Sequence, residues 1–399
     1  MKKYILFLFV FICAGTIAAQ EKTIRVTLQN AVTKEPIQSA SVVVSNSSLG
    51  TISNEEGDFQ LSVSKPSEII ISHLGYKAKM LFSADCSDKG SIVLLEPNEQ
   101  MLEEVIVTKS PIHEVLAKVI ATSKEKLNKP IVLNSYYREF VRVNDKYTRF
   151  TDGLLDYHIS GTTKKTKSDL IVHQSRAEKL ITDDDETKDI ASGLDVRLGI
   201  RRQYDFYTIE KVLFDSKNYE DYEFELKSKT EKSGNEVYLI SFQPKAALEK
   251  FLYKGVIAYD PSTNLISDFE IYSDLDNLKY SKVINILIVK AMLLDMRVKT
   301  SFKISNGNYV MAFSSKKGKI KVWNKRKFDE VLEYKSDLVV TDYKKEDFSY
   351  DPKSVYDDKS LYKRGNNYTT KFWLNTGAMV LTAEETKIIS ELEKESKVN

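Results

Sequence analysis

The stretch EPIQSASVVVSNSSLGTISNEEGDFQLSV, residues 35–63, with IIISHLGYKAK at 69–79, decides how the N-terminal part of this chain folds. Val42 to Val44 form the core of one strand. Gly50 and Gly57 bracket a turn, and Phe59, Leu61 and Val63 then alternate as one buried strand face should. Ile69 to Ile71 supply a further strand. Outward from this block, Ile24, Val26 and Leu28 alternate on the N-terminal side, and Ile92 to Leu95 close the region. Short strands at regular spacing, separated by turn residues, predict a β-sandwich over residues 22–97. Asn54 and Gly57 suit a tight turn, with Phe59 the first inward side chain after it.

These residues resemble the carboxypeptidase regulatory-domain-like family. The resemblance rests on Pro36, Gly50, Thr51, Ser53, Asn54, Gly57, Phe59, Gly75 and Tyr76, and spans about 75 of the 399 residues. It implies a seven-stranded, transthyretin-like sandwich. Gln38-Ser39 departs from the family's small turn residue, a change confined to one loop. The family's name comes from zinc carboxypeptidases, but the domain itself carries no zinc site. A zinc peptidase needs His and Glu ligands at short spacing. The four histidines are His73, His113, His158 and His173; His113-Glu114 begins such a motif, yet position 117 is Ala. Each is read as a surface or core residue, and no metal or cofactor is expected.

After Pro97 comes the junction, 98–130. Its segment LEEVIVT comprises Leu102, Glu103, Glu104, Val105, Ile106, Val107 and Thr108. It resembles the sequence that follows this sandwich in TonB-dependent outer-membrane receptors, where an extended strand pairs with an energy-coupling protein. Edge strands suit such β-augmentation. The simpler reading is a linker strand packed on its own neighbouring domain. About 290 residues follow Thr108, too few for a 22-stranded transporter barrel, and charges interrupt most strands on both faces, as in SYYREFVRV. Ser110-Pro111 then opens a helix, with Ile112, Val115, Leu116, Val119 and Ile120 on one face and Pro130 at its end.

Residues 131–345 read as a larger curved antiparallel sheet with covering helices, of half-barrel form. Tyr136–Val143 and Tyr147–Ile159 make a hairpin at Asn144-Asp145. Residues 162–192 are polar and read as a solvated loop; Asp183 to Glu186 lack the spaced ligands and central Gly of a calcium loop. Strands follow at 236–242, 254–260 and 265–272, with a tight turn at Pro261 to Asn264. This strand–turn–strand phrase, about 35 residues, resembles outer-membrane lipoprotein-carrier-like half-barrels. That resemblance implies an apolar concavity able to hold acyl chains. Val283 to Leu294 is apolar but short of a membrane span, and reads as a helix against the sheet. Strands resume at 297–304, 308–314 and 319–323, with Asn306-Gly307 as a hairpin turn. In the tail, 346–399, Thr382 and Glu385 form a capping box before the stripe Ile388, Ile389 and Leu392, while Phe372 and Trp373 are expected to anchor the tail.

The first 19 residues read as a signal peptide. Lys2 and Lys3 precede an uncharged apolar run from Tyr4 to Ala14, and small residues follow through Ala19. Cys13 follows Ile12, which is the wrong flank for a lipidated Cys. Removing the signal takes the formal charge from +2 to 0, which gives no general attraction to nucleic acid or acidic lipid. Cys86 is then left without a disulfide partner and reads as a small buried apolar residue. No Gly is followed by Ser two positions on, and Gly318-Lys319 has Phe313 where a phosphate loop needs its first Gly.

The chain is therefore mainly β, exported to the periplasm or outer-membrane surface, with no transmembrane span in its mature part. The expected role is non-enzymatic, with the β-rich domain holding an apolar ligand or a lipidated partner. The alternative is an interaction module that docks on an envelope protein, a receptor or its coupling machinery, through the sandwich and the 102–108 strand.

Overall fold

A computed structural model describes residues 22–73, 75–87, 90–97, 104–127, 129–162, 165–179, 195–230, 236–246, 248–286, 289–324, 328–345, 349–369 and 379–398. The first seven strands are β1 (Lys22–Asn30), β2 (Ser41–Val44), β3 (Gly50–Ile52), β4 (Asp58–Val63), β5 (Glu68–His73), β6 (Tyr76–Phe82) and β7 (Ser91–Leu95). They form two sheets, ordered β4-β1-β7 and β3-β2-β5-β6. Their inner faces meet in one core of Ile24, Val26, Leu28, Val42, Phe59, Leu61, Ile69 and Ile71, closed by Val93, Leu95 and Cys86. Each fully buried aliphatic side chain contributes roughly 1.5–3 kcal/mol, so stability here rests on packing.

The turn is shorter than the glycine spacing implies. Gly50 begins β3, which pairs with β2, and the chain reverses over Asn54–Gly57. There Asn54 Oδ1 accepts from the Glu56 and Asp58 backbone N–H groups at 2.9 and 2.8 Å. Gly57 has φ +81°, and a Cβ on it would lie 2.4 Å from the Leu28 carbonyl oxygen.

Beyond the sandwich lie β8 (Glu104–Val105), helix α1 (Ile112–Lys126), β9 (Ile131–Val143), β10 (Lys146–Thr162) and β11 (Lys165–Lys179). Next come helix α2 (Val196–Tyr204), a helical stretch over 207–214, β12 (Tyr222–Thr230), β13 (Glu236–Pro244), β14 (Tyr253–Asp260) and β15 (Leu265–Ser273). The chain continues through β16 (Val283–Ile286), β17 (Val289–Ser305), β18 (Asn308–Asn324) and β19 (Phe328–Lys344) to helix α3 (Ala383–Val398). β8 to β19 make one 12-stranded sheet ordered β11-β10-β9-β19-β18-β17-β15-β14-β13-β12-β8, with β16 on β17. Asn144-Asp145 and Asn306-Gly307 turn the hairpins with the positive φ values that two-residue connections require.

β9 shows how the two faces divide. Ile131, Leu133 and Tyr137 point into the cluster that holds Leu116, Val119 and Ile120 of α1 and Ile200 and Tyr204 of α2. Tyr136, Arg138 and Phe140 point the other way, toward the sandwich and α3. In a flat sheet, β11 and β12 would stand about 43 Å apart. Tyr137 of β9 and Tyr222 at the start of β12, about 34 Å apart on the same reckoning, nevertheless line one cavity, so the sheet curls. Ser123 Oγ of α1 accepts from the Ile266 N–H at 3.0 Å, and Tyr157 Oη donates to the Val196 carbonyl at 2.9 Å.

Ser110 does not cap α1, since Pro111 stands in the capping place and no side chain caps the helix, and two further sequence expectations fail. Val283–Leu294 is not a helix; it forms β16 and the start of β17. Val289 and Ala291 bury themselves against Val143, Val322 and Leu332 of neighbouring strands, while Val283 and Ile284 are exposed at the edge. A short continuous apolar run fits either state, and here strand pairing decides it. Residues 162–192 are not wholly a loop, because β11 occupies 165–179. Leu170 and Val172 supply its inner face, while its polar residues lie at the sheet edge. The Asp183–Glu186 cluster, the signal segment, Phe372 and Trp373 lie outside the described residues.

Candidate functional site: a cavity under the curled sheet

Between α2, the 207–212 stretch and the inner faces of β17, β18 and β19 lies a cavity of about 350 Å³. Apolar side chains make most of its wall, among them Val196, Ile200, Leu252, Val298, Met311 and Leu338. Their alternation on strands and their 3.6-residue spacing on α2 turn them to the same space. Tyr137, Ser314, Ser336 and Tyr334 add hydroxyls, and Arg202 and Lys316 add two positive charges.

The charges in the wall are not evenly matched. Asp195 caps α2 through the Arg197 N–H and pairs with the Arg197 guanidinium at 2.8 Å. Lys211 pairs with Asp215. Glu139, buried behind the wall, accepts from Tyr137 Oη at 2.7 Å and faces Arg149 at 3.3 Å. Arg202 lies over the Tyr207 ring, 5.4 Å from its centroid. Among the described residues, neither Arg202 nor Lys316 has an acidic partner. Burial pushes the Lys316 ammonium down to about 8, and the Arg202 charge adds to the effect. Burial likewise raises the Tyr334 phenol, helped by Glu139.

A second cleft, about 620 Å³, separates the sandwich from the outer face of the sheet. Its rim is tied down. Lys303 Nζ donates to the Ser48 carbonyl at 3.2 Å, Ser305 Oγ to the Ser47 carbonyl at 2.8 Å, and Glu55 takes both Lys317 and Lys335 at 2.9 and 3.0 Å. Ile52 of β3 packs with Tyr136, Phe313, Val339 and Met379. The turn that characterises the sandwich is thus also its seat on the larger sheet.

The 102–108 segment lies far along the same sheet, at its edge. Leu102 and Glu103 fall outside the described residues. Glu104 and Val105 pair antiparallel with Ser228 and Lys227 of β12, and the Ile106 N–H donates to the Leu226 carbonyl at 2.9 Å. Ile106 packs on the core, whereas Val105 and Val107 are 62% and 93% exposed. Thr108 Oγ1 donates to the Ser110 carbonyl at 2.6 Å.

The histidines are dispersed. His73 Nδ1 accepts from the Gly75 N–H, His113 stacks on Tyr219 at 4.2 Å, His158 leans on Tyr350, and His173 pairs with Asp156 at 2.8 Å. Among the described residues no three of His, Cys, Asp and Glu stand together as a metal set.

The cavity cations were not singled out from sequence. On β18 the run from Tyr309 to Ser314 is buried at every position, around a register shift between Ser301 and Phe302 on the paired β17. That hides the alternation which would assign Lys316 inward and Lys317 outward.

The sandwich, its Asn54–Gly57 turn and the Gly75-Tyr76 step together fit one known module. Residues 25–107 match the CarboxypepD_reg-like domain family. The chain is also 30% identical over 120 residues to the TonB-dependent receptor SusC of Bacteroides thetaiotaomicron. That match covers 29% of this chain and 12% of the receptor's length. Among solved structures, a LolA superfamily protein from Nitrosomonas europaea aligns at TM-score 0.19 and 11% identity, over 59% of this chain and 97% of that one. A DUF1329 family protein from Desulfovibrio piger aligns at TM-score 0.24 and 11% identity, over 58% and 90%. Among the described residues, no helix is long and apolar enough to cross a membrane.

Proposed function

We propose that this chain is a non-enzymatic, exported envelope protein whose curled sheet holds an apolar ligand or a lipidated partner at the periplasmic side of the outer membrane. One observation carries the reading: a cavity of about 350 Å³ walled by Val196, Ile200, Leu252, Val298, Met311 and Leu338. Ligand sites are concave, mostly apolar and largely preformed, with few polar groups to fix orientation. The signal-like first 19 residues and the 120-residue likeness to a TonB-dependent receptor support the envelope setting. The test is lipid extraction and mass spectrometry of protein purified from its own envelope fraction. Recovery of an acyl-bearing molecule in stoichiometric amount is expected; its absence, together with no displacement of a fluorescent fatty acid, defeats the reading.

A second reading treats the 102–108 segment as a docking strand. It is favoured by the exposure of Val105 and Val107 beside an edge that no other described strand covers. A photo-crosslinker at Val107 is expected to capture an outer-membrane receptor or its coupling protein in cells. Crosslinks only within the chain reject it.

A further inference from the structure

We propose that the cavity takes a single-chain amphiphile with an anionic head, its chain along the apolar wall and its carboxylate or phosphate oxygens between Arg202 and Lys316. This rests on the apolar-ligand reading and narrows it to one chemical class. The argument begins with charge. Among the described residues, four ionised groups line the cavity: Asp195, Arg202, Lys211 and Lys316. Asp195 and Lys211 each have a close partner of opposite sign, and Glu139 behind the wall is held by Tyr137 and Arg149. The two cations without an acidic partner among the described residues are therefore an excess of positive charge in a mainly apolar space.

Such an arrangement is unfavourable for the empty protein. A partly buried ammonium without a counter-ion is penalised by desolvation, and a second cation nearby adds repulsion. The lowered Lys316 pKa reports both effects. A residue there for packing alone is better served by Met or Leu. An anionic head offsets both penalties at once, through charge-assisted hydrogen bonds that a neutral or cationic head cannot make. The wall accounts for the rest of the ligand. At about 350 Å³ the space is near the lower end of the roughly 300–1,000 Å³ of small-ligand sites, which suits one chain rather than a lipid of two or three.

The experiment uses the delipidated full chain and four probes of equal chain length: hexadecanoate, hexadecyl phosphate, hexadecanol and hexadecyltrimethylammonium. Affinities come from titration calorimetry at pH 7. Both anions are expected to bind roughly ten- to a hundredfold more tightly than the alcohol, the scale of a charge-assisted hydrogen bond. The tighter of the two anions distinguishes a fatty-acid source from a phosphate head. Lys316→Met is expected to remove that preference, bringing both anions down to the affinity of the alcohol, and to raise the unfolding temperature of the empty protein. Arg202→Gln is expected to act in the same direction, so the test survives if one variant fails to fold. Equal binding of anion and alcohol, insensitive to both substitutions, overturns the anionic-head assignment and leaves the apolar site standing. No binding of any probe overturns the apolar site itself.

Discussion

The Arg138 guanidinium, with no exposed surface, donates through Nε to Asp337 Oδ2 at 2.9 Å. Its Nη1 reaches Glu385 Oε2, also at 2.9 Å. Burial alone raises the Asp337 carboxyl, but Arg138 and Lys335 outweigh it and hold the group below its ordinary range. Glu385 also closes the helix cap. It accepts from the Thr382 N–H at 2.9 Å while its own N–H donates to Thr382 Oγ1 at 3.0 Å. One arginine thus joins β9, β19 and the first turn of α3. Arg138→Met takes the guanidinium from the buried Asp337, while Glu385 keeps Lys335 at 2.9 Å, and is expected to cost roughly 3–5 kcal/mol. Urea unfolding followed by circular dichroism measures it. Glu385→Gln keeps the reciprocal cap but weakens the pair, so a smaller loss is expected.

Glu55 makes the seat of the sandwich pH-sensitive. Burial pushes its carboxyl up, but Lys317 and Lys335 together prevail and bring it from 4.5 down to about 2. An acid whose pKa falls on folding contributes stability above its unfolded value and loses it as pH falls through the folded value. The sandwich–sheet contact is therefore expected to be fully supported above pH 4.5 and to weaken progressively toward pH 2. Glu55 retains substantial exposure, so salt screens the effect. Thermal unfolding across this range at low salt reads it out. Glu55→Gln is expected to flatten the acid limb, and an unchanged limb refutes the assignment.

Gly57 tests the turn on which the sandwich depends. Its φ of +81° disfavours any L side chain, at a cost of roughly 1–2 kcal/mol. A Cβ would also meet the Leu28 carbonyl oxygen at 2.4 Å, and backbone cannot swing aside. Gly57→Ala is expected to lose more than the conformational cost alone. Limited proteolysis is expected to cut the 22–97 region of the variant at a denaturant concentration that leaves the parent intact.

The parts of this fold legible in sequence are those set by local chemistry. The Asn54–Gly57 turn, the alternation of Phe59, Leu61 and Val63, the Asn306-Gly307 hairpin and the Thr382–Glu385 cap all depend on residues a few positions apart. What stayed hidden depends on distant pairing. Arg138 and Asp337 are 199 residues apart, so the cap could be read but not the buried ion pairs that anchor it. Val289 and Ala291 become strand residues because Val143, Val322 and Leu332 close over them. Polar β11 is held by its register with β10, from Arg149 opposite Lys179 to Thr162 opposite Lys165. The cavity itself needs α2, β18 and β19 together, and only Arg202 and Lys316 in space disclose its sign.

Gly318 offers a way to alter that cavity without touching its charges. It stands opposite Tyr334 in the β18–β19 pairing, and the Tyr334 ring lies against it: a Cβ there would fall 2.4 Å from Cζ. A glycine beneath an aromatic ring in a strand gives the ring a place no other residue leaves free. Alanine or valine at 318 must lift the ring, and Tyr334 is part of the cavity wall. The atoms a Cβ would meet are Cζ, Cε1 and Oη, the far end of a side chain rather than backbone, so the strand is expected to survive with little loss of stability. Gly318→Val is expected to drive the ring into the cavity and weaken binding of a fluorescent fatty acid. The double variant Gly318→Val with Tyr334→Ala is expected to restore it. Wild-type affinity in the single variant would show that the ligand occupies no space near Tyr334.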